Sequence, residues 1–349
     1  MNASTSFERS LSYTETYWWT AAVLAEIRKA LEFRSFKEIV PGLISKRYEP
    51  GARHSVVVLG NKKLPEIHEQ PSANPDTQVT VAGMDPYYAA VSQVVEKQMA
   101  LEFMDKVYLL APCLRLVMDG EESSAKHLYN FFQVEIEWRT ESMQDVFATG
   151  EAVLGEIARG LLFQSGGPQL SALAERNLLS LTRTHYPQIT FREALSRIGK
   201  DPRVAKDLSA EDDEKLSKQF DTPFWIYDYP EGVRDSIYHK NKTGTYDTYD
   251  LMLPFGYGEL TTGGIRPKTG QEILEQSQKL GKSFSIGYAE WKERSKIQTA
   301  GFGIGLERFL KFVSGAPSVI DFVQYHDDGP NTHLLMAQIN KPETQVSYA

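Results

Sequence analysis

Cysteine is nearly absent from this 349-residue chain: Cys113 stands alone. An internal disulfide is therefore impossible, and a reducing, cytoplasmic setting fits. The first residues, Met1 to Arg9, carry no apolar stretch behind a basic one, so no secretory leader is read there. No apolar run approaches the roughly 20 residues that cross a bilayer, which speaks against a membrane partner. Internal repeats and low-complexity tracts are also missing. Positive charge is in short supply, with 38 Lys and Arg against 46 Asp and Glu, a net charge of −8. Proteins that grip nucleic acid usually present a basic surface, so this balance weighs against such a partner.

What is present is ordinary globular composition, 41% hydrophobic and 24% charged, in a chain long enough for a large core. Ser12 or Thr14 caps a helix running to about Phe33, with Tyr17, Ala21, Leu24, Ile27 and Leu31 on one face. Phe36 to Pro41 reads as a short extended segment closed by a proline. Residues 60–83 read as loop with a strand at 78–82. Helices are expected over 91–103, 145–162, 191–198, 209–219 and 306–313. Strands are expected over 107–111, 129–138, 224–227, 249–253, 258–261 and 301–304. Few of these strands are separated by helices at βαβ spacing. The pattern therefore predicts an α+β fold, an antiparallel sheet flanked by helices.

Three segments carry chemistry. In Gly301-Phe-Gly-Ile-Gly-Leu-Glu-Arg308 the glycines alternate, so on a strand all three share a face on which a flat ligand can lie. Arg308 follows in the first turn of the next helix, where a guanidinium meets phosphate well. Arg115, a polar loop and the aromatic strand from His127 place an arginine and the Phe131 ring on one surface, suited to a phosphate and a base. Asp250 and Glu259 are carboxylates on nearby strand positions, the kind of pair that holds Mg²⁺ beside a phosphate substrate. Taken singly, each segment also reads as a glycine turn, a hairpin or solvated acids.

Together they resemble the motifs of class II aminoacyl-tRNA synthetases, nearest to the aspartyl and asparaginyl branch and the archaeal-type asparagine synthetases that lack an anticodon domain. Phe36-Lys-Glu-Ile-Val-Pro41 looks like the first motif, a dimer-interface element. Arg115 with His127 and Phe131 looks like the second. Glu259-Leu-Thr-Thr-Gly-Gly-Ile-Arg266 is similar to the family's glutamate–glycine–arginine strand, and Gly301 to Arg308 to the third motif. The resemblance spans about residues 14 to 325 and implies one catalytic domain over 1–349, with a helical insertion at about 164–222.

The roles that follow are implied by that resemblance. Arg115, Glu259 and Arg308 are catalytic. Arg115 holds the α-phosphate of ATP; His127, Phe131, Gly303 and Gly305 complete the nucleotide site; Phe131 and Arg308 enclose the adenine. Asp250 and Glu259 bind Mg²⁺. Lys97 and Arg266 hold the substrate's spare carboxylate, Gln133 and Glu135 its ammonium, and Gly263 lies beside it. Two fixed cations suit a diacid, because a neutral amide leaves both unpaired. The sequence departs from the family at Val117, Asn130, Thr299 and at the substrate-loop glutamine, which appears as Val94 or has slipped to Gln93. Only 35 residues precede the first motif, and an anticodon-reading domain with its linker needs about 100. The expected activity is adenylation of aspartate or a close analogue, with ammonia or another small amine as the attacking group, in a homodimer for which tRNA is not a partner. Two alternatives remain open: transfer to tRNA, a protein, a peptide or a specialised metabolite, and a regulatory paralogue that binds without turnover.

Overall fold

The computed structural model describes residues 10–45, 57–59, 66–68, 86–114, 128–164, 169–203, 207–230, 234, 237–280 and 286–323. Its strands are β1 (Lys37–Glu38), β2 (Ile44–Ser45), β3 (Val57–Leu59), β4 (Glu66–His68), β5 (Pro86–Ala89), β6 (Lys106–Leu114), β7 (Asn130–Trp138), β8 (Gln188–Thr190), β9 (Phe224–Tyr229), β10 (Tyr246–Leu253), β11 (Gly258–Ile265) and β12 (Ala300–Gly305). Its α-helices are α1 (Tyr13–Phe33), α2 (Val94–Ala100), α3 (Met143–Leu162), α4 (Ala172–Leu181), α5 (Phe191–Arg197), α6 (Ala210–Ser217), α7 (Gly270–Leu280), α8 (Ile286–Ser295) and α9 (Leu306–Ser314).

Eight strands form the main sheet in the order β1-β6-β7-β12-β11-β10-β9-β8. The six central strands are antiparallel to their neighbours. The expected antiparallel sheet is thus present, with a parallel strand added at each edge, β1 on β6 and β8 on β9. A second sheet has the order β2-β5-β3-β4. The strand expected at 78–82 lies outside the described residues.

One face of the main sheet is buried under α1, α3, α4 and α9. Val134, Ile136 and Trp138 of β7, Phe302 and Ile304 of β12, and Tyr249 and Leu251 of β10 point into this core. Helix α1 begins at Ser12, whose side chain accepts from the Glu15 amide while Glu15 reaches back, a capping box. Its buried stripe is rotated from the expected one: Trp19, Ala22, Val23, Ile27 and Leu31 are buried, whereas Tyr17 is exposed. Apolar residues lie on several sides of this helix, so periodicity alone leaves its phase ambiguous.

The opposite face carries the polar residues. There Gln133, Glu135 and Glu137 of β7 pair with Gly305, Gly303 and Gly301 of β12. The far end of this face is covered by Phe191, Leu195 and Leu216 of α5 and α6, packed on Phe224, Ile226 and Met252. The segment expected as an insertion therefore contributes an edge strand and a small core to the main sheet. Helix α2 starts at Val94, not at Val91. Its N-cap, Gln93, has φ 44° and ψ 42° and cannot extend the helix backwards.

Candidate active site

A step of seven along a regular strand puts two residues on opposite faces. Glu259 and Arg266 are seven apart, yet both belong to the polar face, because β11 is bulged. Leu251 faces Thr261 and Met252 faces Glu259, which leaves Leu260 as the extra residue. Leu260 turns into the core.

At one end of the polar face lies an ion cluster closed off from water. Lys97 of α2 pairs with Glu135 and lies 3.7 Å from the Glu137 carboxylate. Arg266 grips Glu137 with a two-pronged contact, Nε to Oε1 at 2.9 Å and Nη2 to Oε2 at 2.7 Å. The Thr299 hydroxyl adds a bond to Oε1 at 2.8 Å. All five side chains are buried. Burial alone would raise the Glu137 carboxyl, but Arg266, Lys97 and Thr299 outweigh it and hold it below the usual carboxylate range. Lys97 and Arg266 are thus not the bare cations expected from the sequence. Each already has a carboxylate partner, and the diacid argument built on unpaired charge does not stand on these two residues.

The glycine floor is also used differently from expectation. A β-carbon added at Gly303 would fall on the Glu135 carboxylate, and one at Gly301 on the Glu137 carboxylate and the Ile136 carbonyl. These glycines let the two glutamates lie flat across β12 toward Lys97 and Arg266. Gly305 is the open one: its nearest neighbour is the aliphatic part of Arg308, at 3.6 Å. The Gly303→Ala variant should therefore push Glu135 off Lys97 and, by breaking a buried ion pair, lower stability by roughly 3–5 kcal/mol. A thermal melt checks this; unchanged stability contradicts the packing.

Gly263, expected beside the substrate, pairs with Phe302, and an added β-carbon would meet Tyr249 and the Phe302 side chain; it faces the helical core, not the polar face. Its neighbour Gly264 is the residue on the polar face, covered there by the Tyr238 ring.

At the other end the register brings the nucleotide candidates together. Phe131 is two residues before Gln133, whose partner Gly305 ends β12, and α9 with Arg308 starts there. Phe131 is half-buried against Val91, Leu109, Ala111 and Cys113. The Phe132 amide donates to both Glu307 oxygens, at 3.0 and 3.2 Å, and ties the start of α9 to β7. Burial pushes the Glu307 carboxyl up to about 7. Arg308 Nη1 donates to Glu259 Oε1 at 2.9 Å. Arg115 and His127 lie outside the described residues.

Asp250 is only half available as a metal ligand. Its Oδ2 accepts from the Tyr229 hydroxyl and from Arg234, contacts that strand periodicity does not show. Its Oδ1 is buried with no well-formed hydrogen bond, although the Thr262 hydroxyl, opposite it on β11, is near enough to favour its charge. Burial raises the Asp250 carboxyl, the Arg234 charge opposes that, and the nearby Glu259 charge raises it further. A poorly partnered carboxylate oxygen beside a second carboxylate fits a divalent cation, which would relieve both penalties. Among the described residues, no three His, Cys, Asp or Glu side chains group as a metal cage. The pair therefore suits an ion that also takes ligands from a phosphate substrate.

Reading the sequence missed Glu137, Arg234, Tyr238 and Lys292. Two of them had a signal: Glu137 continues the alternation of Gln133 and Glu135 along β7, and Lys292 interrupts an apolar stripe on α8, one turn after Tyr288 and next to Trp291.

Residues 6–328 match the family described as tRNA synthetases class II (D, K and N). The asparagine–tRNA ligase of Pyrococcus furiosus is 25% identical over 238 residues, 65% of this chain and 54% of that protein. That of Thermus thermophilus is 25% identical over 258 residues, 70% of this chain and 58% of that protein. This chain spans a little over half the length of these relatives. The crystal structure of asparaginyl-tRNA synthetase from Pyrococcus horikoshii complexed with asparaginyl-adenylate superposes with a TM-score of 0.70 at 19% identity, covering 89% of this chain and 68% of that one. The aspartyl-tRNA synthetase from Entamoeba histolytica gives 0.66 at 18% identity, covering 90% and 58%.

Proposed function

Because the chain belongs to the class II tRNA synthetases of the D, K and N group, we propose that it activates an amino acid of aspartate or asparagine size with ATP and passes the acyl group to tRNA or another acceptor molecule. The observation that carries this reading is the polar face itself. A closed end built by Lys97, Glu135, Glu137 and Arg266 adjoins a second end where Phe131 of β7 and Gly305 of β12 meet Arg308 in the first turn of α9.

The chemistry is an in-line attack by the substrate carboxylate on the α-phosphorus, with pyrophosphate leaving. It asks the protein for positioning and charge neutralisation more than for acid–base groups. Arg308 meets the polyphosphate and, with Phe131, encloses the base. Glu135 and Gln133 receive the substrate ammonium. Asp250 and Glu259 would hold Mg²⁺, which would supply charge neutralisation at the phosphates. Arg115, by its motif, adds a second guanidinium.

Transfer to ammonia, the acceptor first expected from the sequence, has no counterpart among these relatives, which are named tRNA ligases. Nor does a net charge of −8 argue strongly against tRNA, because net charge averages over a surface whose local field decides binding. The test is acceptor-resolved. Labelled aspartate or asparagine, ATP and Mg²⁺ are incubated with total tRNA, with ammonium, or with neither. Acid-precipitable label that depends on tRNA supports the reading; label appearing only as a free amide with ammonium overturns the acceptor.

A homodimer belongs to the same reading. Strand β1 lies at the sheet edge, and the chain just after it leaves Val40, Leu43 and Ile44 exposed, Val40 at 95%. Such an edge next to an uncovered apolar run is ready for a second copy. Light scattering at micromolar concentration should give twice the chain mass, and Val40→Asp with Leu43→Asp should give the monomer. A monomeric parent contradicts it.

A further inference from the structure

The two walls proposed for the base come from different elements. Phe131 stands on β7 and Arg308 in the first turn of α9. Each is held from behind. The Phe131 ring packs on Val91, Leu109, Ala111 and Cys113. Arg308 Nη1 donates to the Glu259 carboxylate at 2.9 Å and to the Glu259 carbonyl at 3.3 Å. The spacing between the walls is set by the residues next to them in the chain. Glu307 precedes Arg308 and Phe132 follows Phe131. The Phe132 amide donates to both Glu307 oxygens, at 3.0 and 3.2 Å.

Strand register explains why a side chain is needed there. The pairing of β7 with β12 stops at Gln133 and Gly305. One residue further the chain has turned into α9, and β12 has no carbonyl left to accept the Phe132 amide. The Glu307 carboxylate takes that place, which satisfies a donor the ladder would otherwise strand. It is not what holds α9 to the protein, because Leu306, Phe309, Leu310, Phe312 and Val313 bury that helix in the main core. Nor does it hold the closed end, where Gln133 and Glu135 are set by their own register with Gly305 and Gly303. What it fixes is the height of the first turn of α9 over β7, where Phe131 and Arg308 stand.

We infer that Glu307 is a positioning residue of the nucleotide site: by gripping the Phe132 amide it sets the width of the slot between Phe131 and Arg308 that takes the adenine base. This rests on the function proposed above and deepens its ATP end. Both carboxylate oxygens are full acceptors only in the charged form. Burial lifts the Glu307 carboxyl to about 7, opposed by the Phe132 amide, by its own amide and by Arg308, so the grip is complete above that pH.

The test is run at pH 8 on the full chain. Calorimetry measures binding of a non-hydrolysable ATP analogue with Mg²⁺ and, in separate titrations, of aspartate and asparagine. Backbone hydrogen exchange over residues 128–134 follows the Phe132 amide. Glu307→Met keeps the side-chain length and loses both acceptors. It should speed exchange there and weaken the ATP analogue about 10-fold, within the roughly 5- to 150-fold that stacking a base on an aromatic ring is worth. Amino-acid affinities should stay unchanged. Glu307→Gln keeps one acceptor and should fall between Glu307→Met and the parent. Parent-like ATP affinity in Glu307→Met, an equal loss toward ATP and the amino acids, or a Glu307→Gln no better than Glu307→Met overturns the inference. Should Glu307→Met not fold, Glu307→Ala takes its place; if neither folds while Glu307→Gln does, the contact is structural and the inference is wrong. An ATP analogue bound by the parent without pyrophosphate release from ATP would sink the proposed function and leave this inference standing; a parent that binds no ATP analogue overturns both.

Discussion

Arg266→Ala is expected to lower stability by about 3–5 kcal/mol, the usual result of stranding one partner of a buried ion pair. The stranded partner is Glu137, fully buried, whose remaining contacts are Thr299 at 2.8 Å and Lys97 at 3.7 Å. Neither replaces a two-pronged guanidinium. The loss should be reported by the Glu137 carboxyl itself. Held low by Arg266, it would rise toward and above its ordinary range, so the variant would gain protons that the parent does not bind. The sign follows: a carboxylate with a depressed pKa stabilises above its unfolded value and ceases to do so as pH falls through its folded value. The parent should therefore lose this contribution only in acid, and the variant should lack it at neutral pH. Adding Glu137→Gln to Arg266→Ala removes the stranded charge and should recover part of the loss. Denaturant melts of the parent, single and double variants decide. Equal stability of Arg266→Ala and parent would mean the cluster is not closed to water.

Arg308→Ala should act on chemistry and hardly on folding. Arg308 and Glu259 are each about one-third exposed, so their 2.9 Å contact contributes little to stability. Positioned donors aimed at charge that develops in the transition state, by contrast, are each worth roughly 10²–10³ in rate. The expected outcome is a fall of that size in kcat/KM for ATP, with thermal stability nearly unchanged and with the same loss whichever amino acid is offered. Steady-state pyrophosphate release with aspartate and with asparagine measures it. A loss confined to one amino acid would place Arg308 at the other end of the face.

The sheet and its site strands were legible in the sequence because their patterns are local. Alternation in 129–138, the glycine repeat 301–305 and the following helix all carry their own period. Most of the main sheet was read from them. The second sheet, the edge strand β8 and the helices α7 and α8 were not. Three-residue strands have too few positions to show alternation, and α8 has scant amphipathic contrast because its buried side includes Lys292.

Neighbours were legible in the sequence, partners were not. Gln133, Glu135, Lys97, Arg266, Glu259 and Arg308 gather on one face. That Glu135 and Glu137 neutralise Lys97 and Arg266 follows from cross-strand register and from helix α2, neither of which a linear spacing contains. Gly263 and Gly264 show the limit most simply. One residue of register separates a core position from a site position, and the β11 bulge decides which is which.

The most direct measurement of the central claim is amino-acid-dependent exchange of labelled pyrophosphate into ATP, run with aspartate and asparagine separately and without any acceptor. It reads formation and reversal of the adenylate alone, independent of what later receives the acyl group. The account predicts exchange that requires Mg²⁺ and one of these two amino acids, that persists in the absence of tRNA and ammonium, and that collapses in Arg308→Ala while the variant remains folded. Well-folded parent protein that exchanges no pyrophosphate with either amino acid would contradict it.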